Sequence, residues 1–290
     1  MMNGLGRTCS IATDLTRRTY VLPLIAQHLN KPLKGTIVSR GYFVWNDLMT
    51  PDPASAIPFY TSLLGWNIEE RDMGSGNYTM FKVGETYIGG ASANQDGHPH
   101  WVSYISVDDI NQACEQIRQL GGTILQEPFT VEGIGTMAYA ADPNGAVFSP
   151  FQDENPDYQP ELPEGVHPAG AIAWHEVSTD DQNKTDDFYA AIFGWNKIVW
   201  PMDDGEYHGL AIDDSPVAVV FKRPDNAPVC AWTIYFEAPG EIDQVTADVR
   251  RLGGSIQRDK FTVEGTGDIA VVADPTGAVF GLMKSLPMNQ

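Results

Sequence analysis

Residues 42–49, YFVWNDLM, alternate between apolar and polar side chains and are rich in aromatics, which predicts a half-buried strand. Asp52-Pro53 then opens a helix, with Asp as N-cap and Pro at the first helical position. Ile57, Tyr60, Leu63 and Leu64 form its apolar stripe and Gly65 ends it. Pro58 within it removes one backbone donor and predicts a kink. Three short strands follow, over 67–71, 78–83 and 87–91. The same order then recurs. A strand over 101–107 leads to a helix capped by Asp108 or Asp109, with Ile110, Ala113, Cys114, Ile117 and Leu120 on one face and Gly121 as its stop. Strands over 123–126, 136–140 and 146–151 close the unit. The pattern is therefore strand, helix and three strands, twice over.

The whole pattern is itself repeated. Residues 129–148, FTVEGIGTMAYAADPNGAVF, return as 261–280, FTVEGTGDIAVVADPTGAVF, a shift of 261 − 129 = 132 positions. Asp-Pro-x-Gly in both copies is a tight turn between apolar runs, so each is read as a hairpin. Phe59-Tyr60 matches Phe188-Tyr189 at a shift of 188 − 59 = 129, and Leu120-Gly121-Gly122 matches Leu252-Gly253-Gly254 at 252 − 120 = 132. A period this long is a domain and not a solenoid repeat. The 290 residues thus divide into an extension over 1–39, a first domain over 40–152, a Pro-rich acidic linker over 153–169 and a second domain over 170–286. At this length each domain is expected to bury its own core.

The formal net charge is −20, which disfavours nucleic acid and anionic membranes as partners. No apolar run reaches the length of a membrane span, about 20 residues. Cys9, Cys114 and Cys230 have neither metal-ligand spacing nor a disulfide framework, and a reducing cytoplasm is the expected location. Thr16–Val21 contains an Arg17-Arg18 pair, but the residues after it lack an export signal's apolar region and cleavage site. The chain is expected to be a monomer built as a pseudo-dimer of repeats, or a homodimer.

The FY-x-x-x-LGW and FY-x-x-x-FGW helix ends, the VDDINQACEQIRQLGG segment and the DPxGAVF close resemble the vicinal oxygen chelate superfamily, which groups glyoxalases, bleomycin-resistance proteins and extradiol dioxygenases. The resemblance covers nearly everything but the extension and linker. It implies an α+β fold of four βαβββ modules, forming two tandem glyoxalase/bleomycin-resistance-type domains around clefts. It also implies that metal-dependent members place His, Gln or Glu on the first, fourth, fifth and eighth strands. Here the matched positions are Trp45, Gly89, Val102 and Ser149, then Trp174, Ala218, Thr233 and Gly281, with the fourth-strand position the least certain. None is His, Gln or Glu, so no cofactor is expected. Were a divalent metal held, His100 with Asp47 or His175 with Glu176 would be its ligands.

Side chains two apart on a strand share a face, so the expected cleft is aromatic with a few acids: Trp45, Asp47, Tyr104 and Ser149, then Trp174, Glu176 and Tyr235. His175 is one residue out of step and is expected on the opposite face; His208 reads as surface. The leading function is a metal-free protein binding a small, partly apolar molecule with a donor or cationic group. Second comes a glyoxalase-like lyase or isomerase with relocated ligands or a carboxylate base. Last comes an extradiol-type dioxygenase, which needs two His and a Glu in one domain.

Overall fold

The structure is a computed structural model that describes residues 40–72, 77–94, 97–154, 167–202, 205–225, 227–263 and 266–286. The Arg17-Arg18 segment and most of the linker lie outside the described residues. The first module runs β1 (Phe43–Thr50), α1 (Pro53–Leu64), β2 (Asn67–Asp72), β3 (Asn77–Val83) and β4 (Thr86–Ala93). The second runs β5 (His100–Ser106), α2 (Ile110–Gln119), β6 (Thr123–Val131), β7 (Gly135–Ala141) and β8 (Val147–Asp153). The third is β9 (Ile172–Thr179), α3 (Gln182–Phe193), β10 (Asn196–Met202), β11 (Gly205–Ile212) and β12 (Ser215–Lys222). The fourth is β13 (Trp232–Glu237), α4 (Ile242–Arg251), β14 (Ser255–Val263), β15 (Gly267–Ala273) and β16 (Val279–Ser285). Two eight-stranded sheets result, ordered β2-β3-β4-β1-β5-β8-β7-β6 and β10-β11-β12-β9-β13-β16-β15-β14. The α+β fold of four βαβββ modules is thus the one observed. No helix among the described residues is long and apolar enough to cross a membrane.

Local chemistry sets the element ends. Asp52 caps α1 by accepting the Ser55 amide, and Gly65 closes it in the left-handed region at φ 72°. Asp109, not Asp108, caps α2. Pro58 lies inside α1 on its exposed face, and the helix continues through it to Leu64. The buried face of α1 is Ala56, Phe59, Tyr60, Leu63 and Leu64, with Ile57 half-buried against the same core. Leu120 is the C-cap of α2 and is exposed.

Each half buries only a smaller cluster of its own, on its cleft face, and the two larger cores are shared between the halves. One core joins α1 to the fourth module: Phe59, Tyr60, Leu63 and Trp66 pack with Phe236, Ile242, Val245 and Phe280. The other joins the second module to α3: Ile110, Cys114, Ile117 and Phe148 pack with Phe188, Tyr189, Phe193 and Trp195. The physical cause is that the α1 and α2 stripes lie on the sheet faces away from the clefts, where each packs against its own sheet and against the opposite half.

Equivalent residues make reciprocal contacts across this join. The Trp195 indole donates to the Gly41 carbonyl and the Trp66 indole to the Gly170 carbonyl, each at 2.8 Å. Both glycines have positive φ, +87° and +82°, and a Cβ on either would lie within 2.8 Å of the partner indole nitrogen. Asp142, the turn aspartate of the first half, holds its own turn amides through Oδ1 and takes the Tyr189 hydroxyl of the second half on Oδ2 at 3.2 Å.

Asn46 and His175 occupy the same repeat position and meet at the centre of the join, with His175 Nε2 3.3 Å from Asn46 Oδ1. The His175 ring stacks on Phe43 at 3.7 Å, and burial lowers its pKa to about 3 from 6.5. The native state therefore binds fewer protons than the unfolded state between those values, and this contribution to stability is lost as pH falls through that window. Buried Asp47, Asp142 and Asp186 have raised pKa values and act in the opposite sense in acid. Urea unfolding of wild type and His175→Asn at pH 7, 6 and 5 separates the two. Below pH 6.5, wild-type stability should fall more steeply than the variant's, by about 1.4 kcal/mol per pH unit. Parallel profiles would remove His175 as the cause.

Candidate functional site

The two clefts start from the same residues and end differently. On β1, Trp45, Asp47 and Met49 share the cleft face by strand alternation. Asp47 pairs with Gly90 on β4 and Val102 on β5, and Trp45 pairs with Tyr104, which in turn pairs with Ser149 on β8. The Asp47 carboxylate is buried and accepts three hydrogen bonds. Trp45 Nε1 donates at 3.0 Å and the Tyr78 hydroxyl at 2.6 Å, both to Oδ1; the Tyr104 hydroxyl donates at 2.8 Å to Oδ2. The Tyr139 hydroxyl lies 2.9 Å from that of Tyr104. Burial raises the Asp47 pKa against the lowering effect of its three donors, and burial followed by the Asp47 charge raises those of Tyr78 and Tyr104.

Tyr78 reaches Asp47 because Gly90 leaves it room: a Cβ there would meet the Tyr78 hydroxyl at 2.0 Å. Met49, Met137, Phe129 and Phe151 pack in the same cluster as Tyr104. Ser149 is fully buried and gives its hydroxyl to the Ala138 carbonyl at 2.8 Å. The first cleft face thus bears a hydrogen-bonded cluster of its own side chains, with Trp45, Met49, Phe129 and Tyr139 half-buried.

In the second sheet Glu176 stands where Asp47 does and accepts the Tyr235 hydroxyl at 2.6 Å. Val219, the partner of Glu176 on β12, takes the place of Gly90. Tyr207, the counterpart of Tyr78, lines an open cavity instead. Met49 is replaced by Ser178 and Tyr139 by Val271, both smaller and both lining that cavity. Gly281 replaces Ser149, and the Tyr235 ring lies over it so closely that a Cβ would be 1.9 Å away. The result is a cavity of about 390 Å³ with mostly apolar walls, among them Phe221, Phe261, Val263 and Ile269. Its polar lining includes Glu176, Tyr235, Tyr207, Thr233, Gln257 and Arg258, with the Arg258 guanidinium 3.3 Å over the Phe261 ring. Pro99 and His100 of the first half and 227–229 of the second complete the wall.

Of the residues expected to form clefts, the structure brings Trp45, Asp47 and Tyr104 into one network and Glu176 and Tyr235 into the cavity. Trp174 is buried beside the cavity residues, with no hydrogen-bond partner for its indole nitrogen. Tyr78, Tyr139, Tyr207, Val271 and Arg258 were not foreseen. The period-two pattern of β7 and β15 could have flagged Tyr139 and Val271, but which strand faces which was not legible. The fourth-strand positions are corrected by one residue: Gly90 and Val219 face the clefts, whereas Ala218 belongs to the core behind the sheet.

The metal positions of the superfamily fall on side chains that do not suit a divalent cation. Trp45, Gly90, Val102, Val219 and Gly281 offer no ligand atom, and Ser149 is committed to a carbonyl. The groups surrounding Asp47 are all N–H and O–H donors, the opposite of a cation's requirement. The relocated sets are not assembled either. His175 and Glu176 face opposite sides of β9, and the His100 ring nitrogen Nδ1 lies 2.7 Å from the His98 carbonyl oxygen. Among the described residues no group of three or more His, Cys, Asp or Glu is placed to hold a metal ion. His208 is not a surface residue: it is buried, with its Nδ1 against the Asp186 carboxylate of α3.

Comparison with known proteins agrees with this architecture. The sequence model of the Glyoxalase/Bleomycin resistance protein/Dioxygenase superfamily matches residues 41–149. CFP32 of Mycobacterium tuberculosis, provisionally named a glyoxylase, is 28% identical over 253 residues, covering 84% of this chain and 95% of its own. The anthracycline biosynthesis protein DauV of a Streptomyces species is 28% identical over 278 residues, covering 86% and 95%. A lactoylglutathione lyase of Salmonella typhimurium is 32% identical over 111 residues, covering 34% of this chain and 82% of its own. The crystal structure of the 2,3-dioxygenase LapB from Pseudomonas sp. KL28 superposes with a TM-score of 0.59 at 11% identity, covering 88% of this chain and 96% of that one.

Proposed function

The chain belongs to the glyoxalase/bleomycin resistance protein/dioxygenase superfamily, and on that premise we propose that it binds a small, largely apolar molecule in the cavity of the second sheet, without a resident metal. The observation behind this reading is the cavity itself: about 390 Å³ of apolar-walled space containing a buried carboxylate already bonded to a tyrosine. That volume is within the usual range for small-molecule sites, and a few polar groups among apolar walls are what fix a ligand's orientation. Full-length relatives named for glyoxylase chemistry and for anthracycline biosynthesis support a small-molecule ligand. The first cleft, bearing its own hydrogen-bonded tyrosines, serves as scaffold.

The test uses the uncharged fluorophore N-phenyl-1-naphthylamine. Wild type should bind about one equivalent saturably, with quenching of Trp232 in the cavity wall. Val271→Phe, which fills the cavity, should reduce that binding at least tenfold on the same titration. No saturable binding by wild type, or equal binding by the filled variant, would refute the reading. A lyase or isomerase using Glu176 as base is the second reading, favoured by the placement of that carboxylate on the cavity wall. Glu176→Gln separates the two, since a base is lost while an apolar ligand is still held.

A further inference from the structure

We infer that the ligand of the second cavity is an aromatic ring bearing a hydroxyl group, and that it donates this hydroxyl to the Tyr235 oxygen. The inference rests on the binding reading above and deepens it. The first sheet contains, as part of its own chain, what the second one lacks. Tyr139 on β7 faces Gln126 on β6, and Val271 on β15 faces Arg258 on β14 in the same register, so the two are equivalent positions. In the first sheet a phenol ring therefore fills the space that in the second is open and bounded by Val271.

The direction of the hydrogen bond follows from the carboxylate. Three donors converge on the Asp47 carboxylate, and the Tyr104 hydroxyl is the one that gives its proton to Oδ2. The bond of 2.9 Å between the two phenols must then run from the Tyr139 hydroxyl to the Tyr104 oxygen. In the second sheet the Tyr235 proton is committed in the same way to Glu176 Oε2. Its oxygen is left as an acceptor on the side where Tyr139 would have supplied a donor. A ligand hydroxyl completes the arrangement; an ether or a bare ring does not. The aromatic part of the inference comes from the same comparison, since the group removed by the Tyr-to-Val difference is a phenol, and Phe261 and Phe221 wall the space.

The test compares 2-naphthol with 2-methoxynaphthalene, which has the same ring system and oxygen but no proton to donate, by calorimetric titration of the full chain. Naphthol should bind about tenfold more tightly, the effect of one net hydrogen bond. Tyr235→Phe should bring the two compounds to equal affinity. Val271→Tyr, which restores the internal phenol, should remove binding of both. Equal affinities in wild type would overturn the hydroxyl inference while leaving apolar binding intact, as measured independently with the naphthylamine fluorophore. Absence of naphthol binding would overturn it as well. A preference for naphthol that survives Tyr235→Phe would assign the contact to another group and would also overturn it.

Discussion

Residues 41–153 and 170–286, produced separately, should each fail to give a folded monomer. Removing the second half strips the cover from Phe59, Tyr60, Leu63 and Trp66, all of which pack on Phe236, Val245 and Phe280. It also uncovers Ile110, Ile117 and Phe148, which pack on Phe188, Tyr189 and Phe193. Each large apolar side chain exposed costs about 1.5–3 kcal/mol, so a handful exceeds the 5–15 kcal/mol by which a typical domain is stable. The join also loses both indole-to-carbonyl bonds and the contact between Asn46 and His175. Sedimentation and near-ultraviolet circular dichroism of each half should show aggregate, a fluctuating globule or self-association through the uncovered helices. Mixing the halves during refolding should recover a single folded heterodimer. A cooperative, monomeric unfolding transition from either half alone would contradict a core shared between halves.

Substitution of Asp47 by Ala should destabilise the protein by about 2–4 kcal/mol, because one buried and two half-buried donors lose a common acceptor. Trp45 Nε1 keeps the Tyr78 hydroxyl at 2.8 Å as an alternative partner, which limits the loss. Asp47→Asn should cost less than Ala, since the amide oxygen still accepts while its NH₂ faces donors. The measurement is urea unfolding at pH 7 with the slope held fixed as a check that the unfolded state is unchanged. Naphthylamine binding in the second cavity should survive both substitutions. An unaltered unfolding midpoint would mean that the network around Asp47 is not structural, and loss of fluorophore binding would place Asp47 in the ligand site after all.

The contrast between Asp47 and Glu176 shows why the site was only half legible in the sequence. Strand periodicity placed both carboxylates on the cleft face, beside Tyr104 and Tyr235, and the hydrogen bonds of 2.8 and 2.6 Å agree with that placement. What each acid faces depends on strands far away in sequence. Gly90 leaves room for Tyr78, whereas Val219 stands at that position beside Glu176; Tyr139 is bonded to Tyr104, whereas Val271 lines the cavity. The two copies differ there by single residues whose consequence depends on packing across four strands, which no local pattern records.

The sequence by itself determined the modules. The helix cap at Asp52, that at Asp108 or Asp109, stops at Gly65 and Gly121, the DPxG turns and the 132-residue repeat are local signals, and local signals survive because backbone dihedrals and nearby hydrogen bonds decide them. It also placed His175 out of phase with the cleft, as the stack on Phe43 bears out. Only the tertiary structure decided which module covers which. An amphipathic helix shows that it has an apolar face but carries no information on the surface that will bury it. Hence α1 and α2 were legible as helices, while their burial against the opposite half was not. The same holds for the clefts: alternation tells which side chains point inward, and only the meeting of all eight strands decides whether the space between them closes or stays open.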